Sequence, residues 1–445
     1  MRKESVSAPK QLGIRSHELF SRARKVFPDG TTRATVERDP MPRYVVKGEG
    51  AYLIDVDGQR FLDLHNNFTT LIHGHGFGPV TEAVARQLHD GTCFANPTAH
   101  EIDLAELLVG RIPAIEQIRF VNTGTEAVMF AIKAARAFTG RPAIAKIEGA
   151  YHGAYDWAEA GQVGTPATWG LASAPIALPS YTGTPETVAE DVIVLRFNDA
   201  RGAREQIAAS ARRLACILLD PMPSRGGLIT PEADFIEAVV TTARRYGILV
   251  VSDEVLNLRQ GYRGASVRYG IQPDLLVAGK IIGGGFPIGA IGGSRHVMEV
   301  FDGSSGPAKV QQGGTFSANP VSMVAGRVSM ENLTEAAFER LERMGDWLRG
   351  KLTASIEMRQ APYVVTGAAS LFRIHPKRRM PRDYREAYTQ PGEAASIRAM
   401  GRFFAGEGII FPAAGTACLS TAMSEGDLEK VALVFERYLA VESTL

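Results

Sequence analysis

Cysteine is scarce. Cys93, Cys216 and Cys418 are all that the 445-residue sequence contains, an odd number set far apart. That excludes a disulfide framework and points to a reducing compartment, the cytoplasm. Net charge is lacking too, with 49 basic residues against 48 acidic ones. Without an excess of one sign there is no field to draw in a nucleic acid or an anionic membrane. No run approaches the roughly 18 apolar residues of a membrane span. The opening MRKESVSAPKQLGIRS has no apolar segment of the secretory type. Low-complexity tracts and internal repeats are missing as well. What is present is ordinary globular composition, 45% hydrophobic and 22% charged. At this length one large domain and at least one smaller one are expected.

Seven short apolar runs carry the large domain: 118–121, 143–147, 192–197, 216–219, 248–251, 275–278 and 288–291. Runs of this length, rich in β-branched residues and separated by helical patterns, predict a mostly parallel α/β sheet buried on both faces. The expected division is an N-terminal segment over 1–78, the α/β domain over 79–325, and a C-terminal α+β region over 326–445. The two ends would build a smaller domain together. A helix over 15–27, strands at 44–46 and 50–55, and a long helical stretch from 320 to about 358 complete the outline. The segment 157–190, rich in Gly, Pro, Ser and Thr, is too long for a plain connection and reads as a lid or an interface loop.

The run at 248–251 leads directly to Asp253 and Glu254, and the run at 275–278 leads to Gly279-Lys280 and three glycines. In an open parallel sheet, ligands bind outside the carboxyl ends of the strands. An acid and a lysine at two such ends therefore face one crevice. Pyridoxal phosphate has a use for that pair: a lysine for its aldehyde and an acid on its pyridinium nitrogen. The competing reading makes Asp253 a helix cap and Lys280 a solvated loop lysine. Further upstream, Thr123 and Glu126 have capping-box spacing at the start of a helix running through Ala137. With Gly124 and Thr125 they form an anion site at a helix N-terminus, or an ordinary cap. His73-Gly74-His75 has no partner at metal-ligand spacing. Gly283-x-Gly285 fails the dinucleotide pattern at Ile288, Gly279-Lys280 fails the phosphate-loop pattern at Ile281, and no GxSxG occurs.

Taken together, RFVNTGTEAVMFAIKAARAFTGR, EGAYHGAYD, LLDPMPSRGGL, VVSDEV, DLLVAGKIIGGGFPIGAIGG and GGTFSANP resemble the class III (ω-type) pyridoxal-phosphate aminotransferases of fold type I. The resemblance spans roughly residues 15–440, with glutamate-1-semialdehyde aminomutases and β-amino-acid aminotransferases nearest. It implies that Lys280 forms the Schiff base and shuttles a proton, and that Asp253 pairs with the ring nitrogen. Val255 and Tyr151 would flank the ring, with His152 and Asp220 lining the cofactor. Thr123, Gly124 and Thr125 would cradle the phosphate, and Thr315 would reach it from the neighbouring subunit of a homodimer. Arg33 matches a position that holds a substrate carboxylate, for which guanidinium geometry is suited.

Departures from the family pattern bear on the substrate. Asp220 stands where many relatives have glutamate, and Arg225 where aminomutases have asparagine. PAAGTACLSTAM lacks the Gln-Phe-Glu segment of aminomutases, and also the arginine some β-amino-acid transaminases carry there. These differences favour transfer between two molecules, from a carboxylate-bearing amine such as a β-amino acid to a keto acid. The alternatives are an intramolecular aminomutase and a non-catalytic regulator on the same fold.

Overall fold

The computed structural model describes residues 13–442. Its largest feature is a seven-stranded sheet. The strands are β1 (Gln117–Val121), β2 (Ala143–Ile147), β3 (Val192–Leu195), β4 (Leu214–Leu219), β5 (Leu249–Asp253), β6 (Leu275–Gly279) and β7 (Gly289–Gly293). They lie in the order β1-β7-β6-β5-β4-β2-β3. Pairing is parallel from β6 through β5, β4 and β2 to β3. Strand β7 is antiparallel to both its neighbours, so it alone runs against the rest of this sheet. All seven expected strands are present, with ends that coincide or differ by one or two residues. Most usefully, β5 runs on to include Asp253.

Alternation along the strands divides the core in two. Leu249 and Val251 of β5 join one apolar cluster, with Val277, Leu218 and the helix Gly124–Thr139. Val250 joins the other, with Ile217, Leu219 and Phe235 of the helix Ala233–Arg245. A sheet covered on both faces needs apolar residues at every strand position, which is why these strands read as continuous runs and not as alternations. Each such side chain contributes roughly 1.5–3 kcal/mol on burial.

The chain forms two compact units: residues 78–339 with 381–388, and residues up to 77 with 340–380 and 389 onward. The larger unit thus extends past the expected end at 325. Its last long helix, Pro320–Asn332, packs on the helices Gly78–Asp90 and Ala99–Arg111. The Arg111 guanidinium donates to the Met330 carbonyl at 2.7 Å. The expected single helix from 320 to 358 is two, Pro320–Asn332 and Glu335–Arg359. Buried Leu333 leaves helical geometry between them (φ −89°, ψ 75°).

In the smaller unit, Val45–Glu49, Tyr52–Asp55 and Arg60–Asp63 form an antiparallel meander extended by Ile409–Ile410. A second sheet joins Val364–Thr366, Leu371–His375 and Thr416–Cys418. The N-terminal helix is shorter than expected, Ile14–Ala23, and gives way to turns before Phe27. His75 pairs with Asp63 at 2.8 Å, and His73 bonds to Thr421. Among the described residues no helix is long and apolar enough to cross a membrane.

Candidate active site

The site is built at the carboxyl edge of the large sheet. Strands β5 and β6 are parallel neighbours, with Asp253 in register with Val277. Asp253 therefore closes one strand where Lys280 follows the end of the next. Lys280 has φ +50°, a left-handed conformation that costs a non-glycine residue on the order of 1 kcal/mol. Fully buried Ile281 and Ile282 hold the turn in place behind it. Such strain is kept where a side chain must be aimed.

Asp253 is buried and anchored on both oxygens. Its Oδ2 is 2.6 Å from His152 Nδ1, and its Oδ1 accepts the Val255 N–H at 3.0 Å. Burial pushes the His152 pKa below its usual value, against the opposing pull of Asp253. With the imidazole neutral, Nδ1–H donates to the carboxylate and Nε2 is left as an acceptor. That Nε2 is buried and has no hydrogen-bond partner, so it marks a position where a polar group of a ligand is wanted.

The anion-binding end is equally ordered. Thr123 caps the helix Gly124–Thr139, its side chain accepting from the Glu126 N–H at 3.1 Å. Glu126 does not reach back to Thr123 as a capping box would. It accepts from the Asn122 N–H at 2.7 Å, one residue earlier. Thr125 Oγ1 accepts from Ala154 N–H at 3.2 Å, tying the Tyr151–His152 loop to the helix start. Gly124 lies so close to Val255 that a Cβ there would sit 2.9 Å from its side chain. Gly289 of β7 is obligatory for a similar reason, since a Cβ would meet the Thr123 carbonyl oxygen at 2.1 Å. Tyr151 keeps 44% of its surface exposed, and the Arg225 guanidinium stands over its ring at 4.3 Å.

Asp220, just past β4, accepts from Met222 N–H at 3.0 Å and from Asn257 Nδ2 at 2.6 Å. Burial, then the charge of Asp253, push its pKa from 3.8 up to about 8, against those bonds and the charge of Lys280. Between those two pH values the folded protein holds a proton that the unfolded chain releases. The associated stability is complete below pH 3.8 and is lost as pH rises through about 8. In Asp220→Asn, the stability of the cofactor-free protein should therefore decline less than wild type over that window. Urea denaturation at stepped pH checks it, and an unchanged slope refutes it.

The structure thus gathers Lys280, Asp253, His152, Val255, Tyr151, Thr123, Gly124, Thr125 and Asp220 on one edge of the larger unit. Two expected site residues are not among them. Thr315 is exposed on a turn closed by Ser317 N–H to the Gly314 carbonyl. Arg33 belongs to the smaller unit, where its guanidinium lies 5.5 Å from the Phe68 ring centroid.

Sequence reasoning missed two supports. Lys146, inside β2, is fully buried, and its ammonium donates to the carbonyls of Ala150 at 3.0 Å and Ala158. Burial pushes it down to about 7. A lysine amid AIAKI is the signal that could have revealed it. Arg385 is the second. It grips buried Glu148 through Nε at 2.9 and 3.0 Å, and its other nitrogens donate to the carbonyls of Trp169, Gly170 and Leu171. Nothing local in the sequence announces that hub.

A buried acid, an amine at the next strand end, a capped helix start and the unsatisfied His152 Nε2 together fit pyridoxal phosphate. The family model for class III aminotransferases matches residues 34–422. The chain belongs to the class III aminotransferases. It is therefore a pyridoxal-phosphate enzyme of the fold type I architecture, and the regulator alternative is set aside. Over 375 residues this aminotransferase is 38% identical to the glutamate-1-semialdehyde 2,1-aminomutase of Methanothermobacter thermautotrophicus, which covers 84% of this chain and 86% of that relative. It superposes on an omega-transaminase from Sphaerobacter thermophilus with a TM-score of 0.94 and 46% identity, over 97% of this chain and 98% of the other. A beta-phenylalanine aminotransferase from Variovorax paradoxus matches with a TM-score of 0.88 and 31% identity, over 97% and 95%.

Proposed function

We infer that this class III aminotransferase moves an amino group from a carboxylate-bearing amine, with a β-amino acid favoured, to a keto acid. The observation that carries the reading is the likeness to the Sphaerobacter omega-transaminase, at 46% identity over nearly the whole chain. The beta-phenylalanine aminotransferase supports the choice of amine. When bound, pyridoxal phosphate supplies an aldehyde carbon for the amine and a ring that spreads the electrons left by proton removal.

The chain's own residues do the rest. Lys280 Nζ would hold the aldehyde at rest and, once freed, would carry a proton from the amine-bearing carbon to the former aldehyde carbon. Asp253, fixed by His152 and Val255, holds a proton on the ring nitrogen. The N–H groups at the start of the helix Gly124–Thr139, with the Thr123 and Thr125 hydroxyls, hold the phosphate. Tyr151 and Val255 confine the ring. In this reading the enzyme is a cytoplasmic homodimer in which Thr315 reaches the phosphate of the neighbouring copy and Arg33 holds a substrate carboxylate.

A second reading, the intramolecular aminomutase, is favoured by the Methanothermobacter relative. A panel of amines against pyruvate and 2-oxoglutarate separates the two. The expected result is a new amino acid formed from the acceptor at the expense of a β-amino acid. Conversion of glutamate-1-semialdehyde alone, with neither acceptor consumed, would overturn the transaminase reading.

A further inference from the structure

The geometry points to Arg225 as a second group, in addition to Arg33, that reads the carboxylate of the substrate, an assignment that rests on the carboxylate-bearing amine of the preceding section. Arg225 sits at the tip of a tight turn after β4. Leu228 N–H donates to the Pro223 carbonyl at 2.9 Å, and Leu228 adopts φ +54°, uncommon for a side chain of its size. Pro223, Gly226, Gly227 and Leu228 are buried, whereas Arg225 is exposed. The turn is wedged against the 381–388 segment: a Cβ on Gly227 would lie 2.6 Å from Ala387. A rigid, buried base thus presents one long cationic side chain.

That side chain is aimed. Strands β2 and β4 are parallel neighbours, so the loops carrying Tyr151 and Arg225 leave the sheet at the same edge as Asp253 and Lys280. The guanidinium stands 4.3 Å from the Tyr151 ring centroid. Stacking on one face restricts the rotamers of the arginine and leaves its planar fork of donors free at the rim. Among the described residues no carboxylate pairs with it and no acceptor takes its hydrogen bonds. Two other exposed arginines of this unit spend their donors on acids: Arg382 pairs with Glu232 and Arg213 with Asp191. Arg225 is held with its hydrogen-bonding capacity unspent. Its charge also reaches the interior, adding to the burial that lowers the pKa of Lys146. A preorganised guanidinium with no internal partner matches a carboxylate in charge and in bidentate shape.

Calorimetric titration of the full-length holoenzyme with 3-phenylpropanoate and with 3-phenylpropanamide tests the assignment without any turnover. In Arg225→Gln the acid should bind about 10- to 100-fold more weakly while the amide moves by less than about twofold. Arg225→Lys, which keeps the charge and loses the fork, should recover part of the acid's affinity and none of the amide's. Equal weakening of both probes would mean that Arg225 only packs Tyr151, and unchanged binding of the acid would mean that it touches no substrate. Either result overturns the assignment. Should Arg225→Gln fail to fold, Arg225→Lys alone must still show the acid-specific loss. The donor and acceptor panel is a separate outcome: if no acceptor is consumed yet the acid-specific loss appears, the transaminase reading falls and this assignment stands.

Discussion

Lys280→Ala should abolish amino transfer, with kcat lower by about 10⁴-fold or more, because in the proposed reading one amine performs both the covalent anchoring and the proton transfer. The visible absorption of the holoenzyme should change with it, since the cofactor then has no lysine to hold its aldehyde. Folding should not suffer. Lys280 lies at φ +50°, a conformation that strains alanine and lysine alike, and its neighbours Ile281 and Ile282 keep their burial. Stability of the cofactor-free variant is therefore expected within about 1 kcal/mol of wild type. The check is single-turnover consumption of the amine alongside urea denaturation. Turnover within tenfold of wild type would remove Lys280 from the chemistry.

Asp253→Asn should cost the next largest share, about 10²- to 10³-fold in kcat, as expected when a preorganised charge is taken from a reacting centre. The substitution keeps the shape. The amide oxygen can still accept the Val255 N–H, which now meets Oδ1 at 3.0 Å. The other side changes character, because an amide N–H₂ cannot accept the Nδ1–H of His152. The imidazole must then move its proton to Nε2, the atom that has no partner inside the protein. His152 and Asp253 therefore act as one unit, and their substitutions should not add. In an Asp253→Asn background, replacing His152 should lower kcat little further, although the same replacement in wild type should be clearly harmful. Additive losses in a double-mutant cycle would show that the 2.6 Å bond between them has no part in the reaction.

Much of this site is legible in the order of residues alone. The seven strands announce themselves because a sheet covered on both faces demands apolar residues at every position, and VVSDEV and LLVAGK show where each run stops. The cap at Thr123 is equally local, since the residues that satisfy a helix start lie within one turn of it. Even so, Glu126 turns to the Asn122 N–H instead of Thr123, a choice between two donors one residue apart. The break at Leu333 has a local mark as well, since Thr334 directly after it caps the next helix, its Oγ1 accepting the Ala337 N–H at 3.3 Å.

By itself the amino-acid sequence determined the strands, the residue types at their ends and the family to which those residues belong. Each depends on neighbours along the chain, whose periodicity and spacing are written in order. Only the tertiary structure decided that buried Lys146 would find the carbonyls of Ala150 and Ala158, that Asp253 would be held by His152, and that Arg225 would stand over Tyr151. The grip of Arg385 on Glu148 joins residues 237 positions apart. A polar side chain carries no label for its partner. Which donor meets which acceptor is settled when burial removes water as the competing partner, and that happens only once distant segments pack.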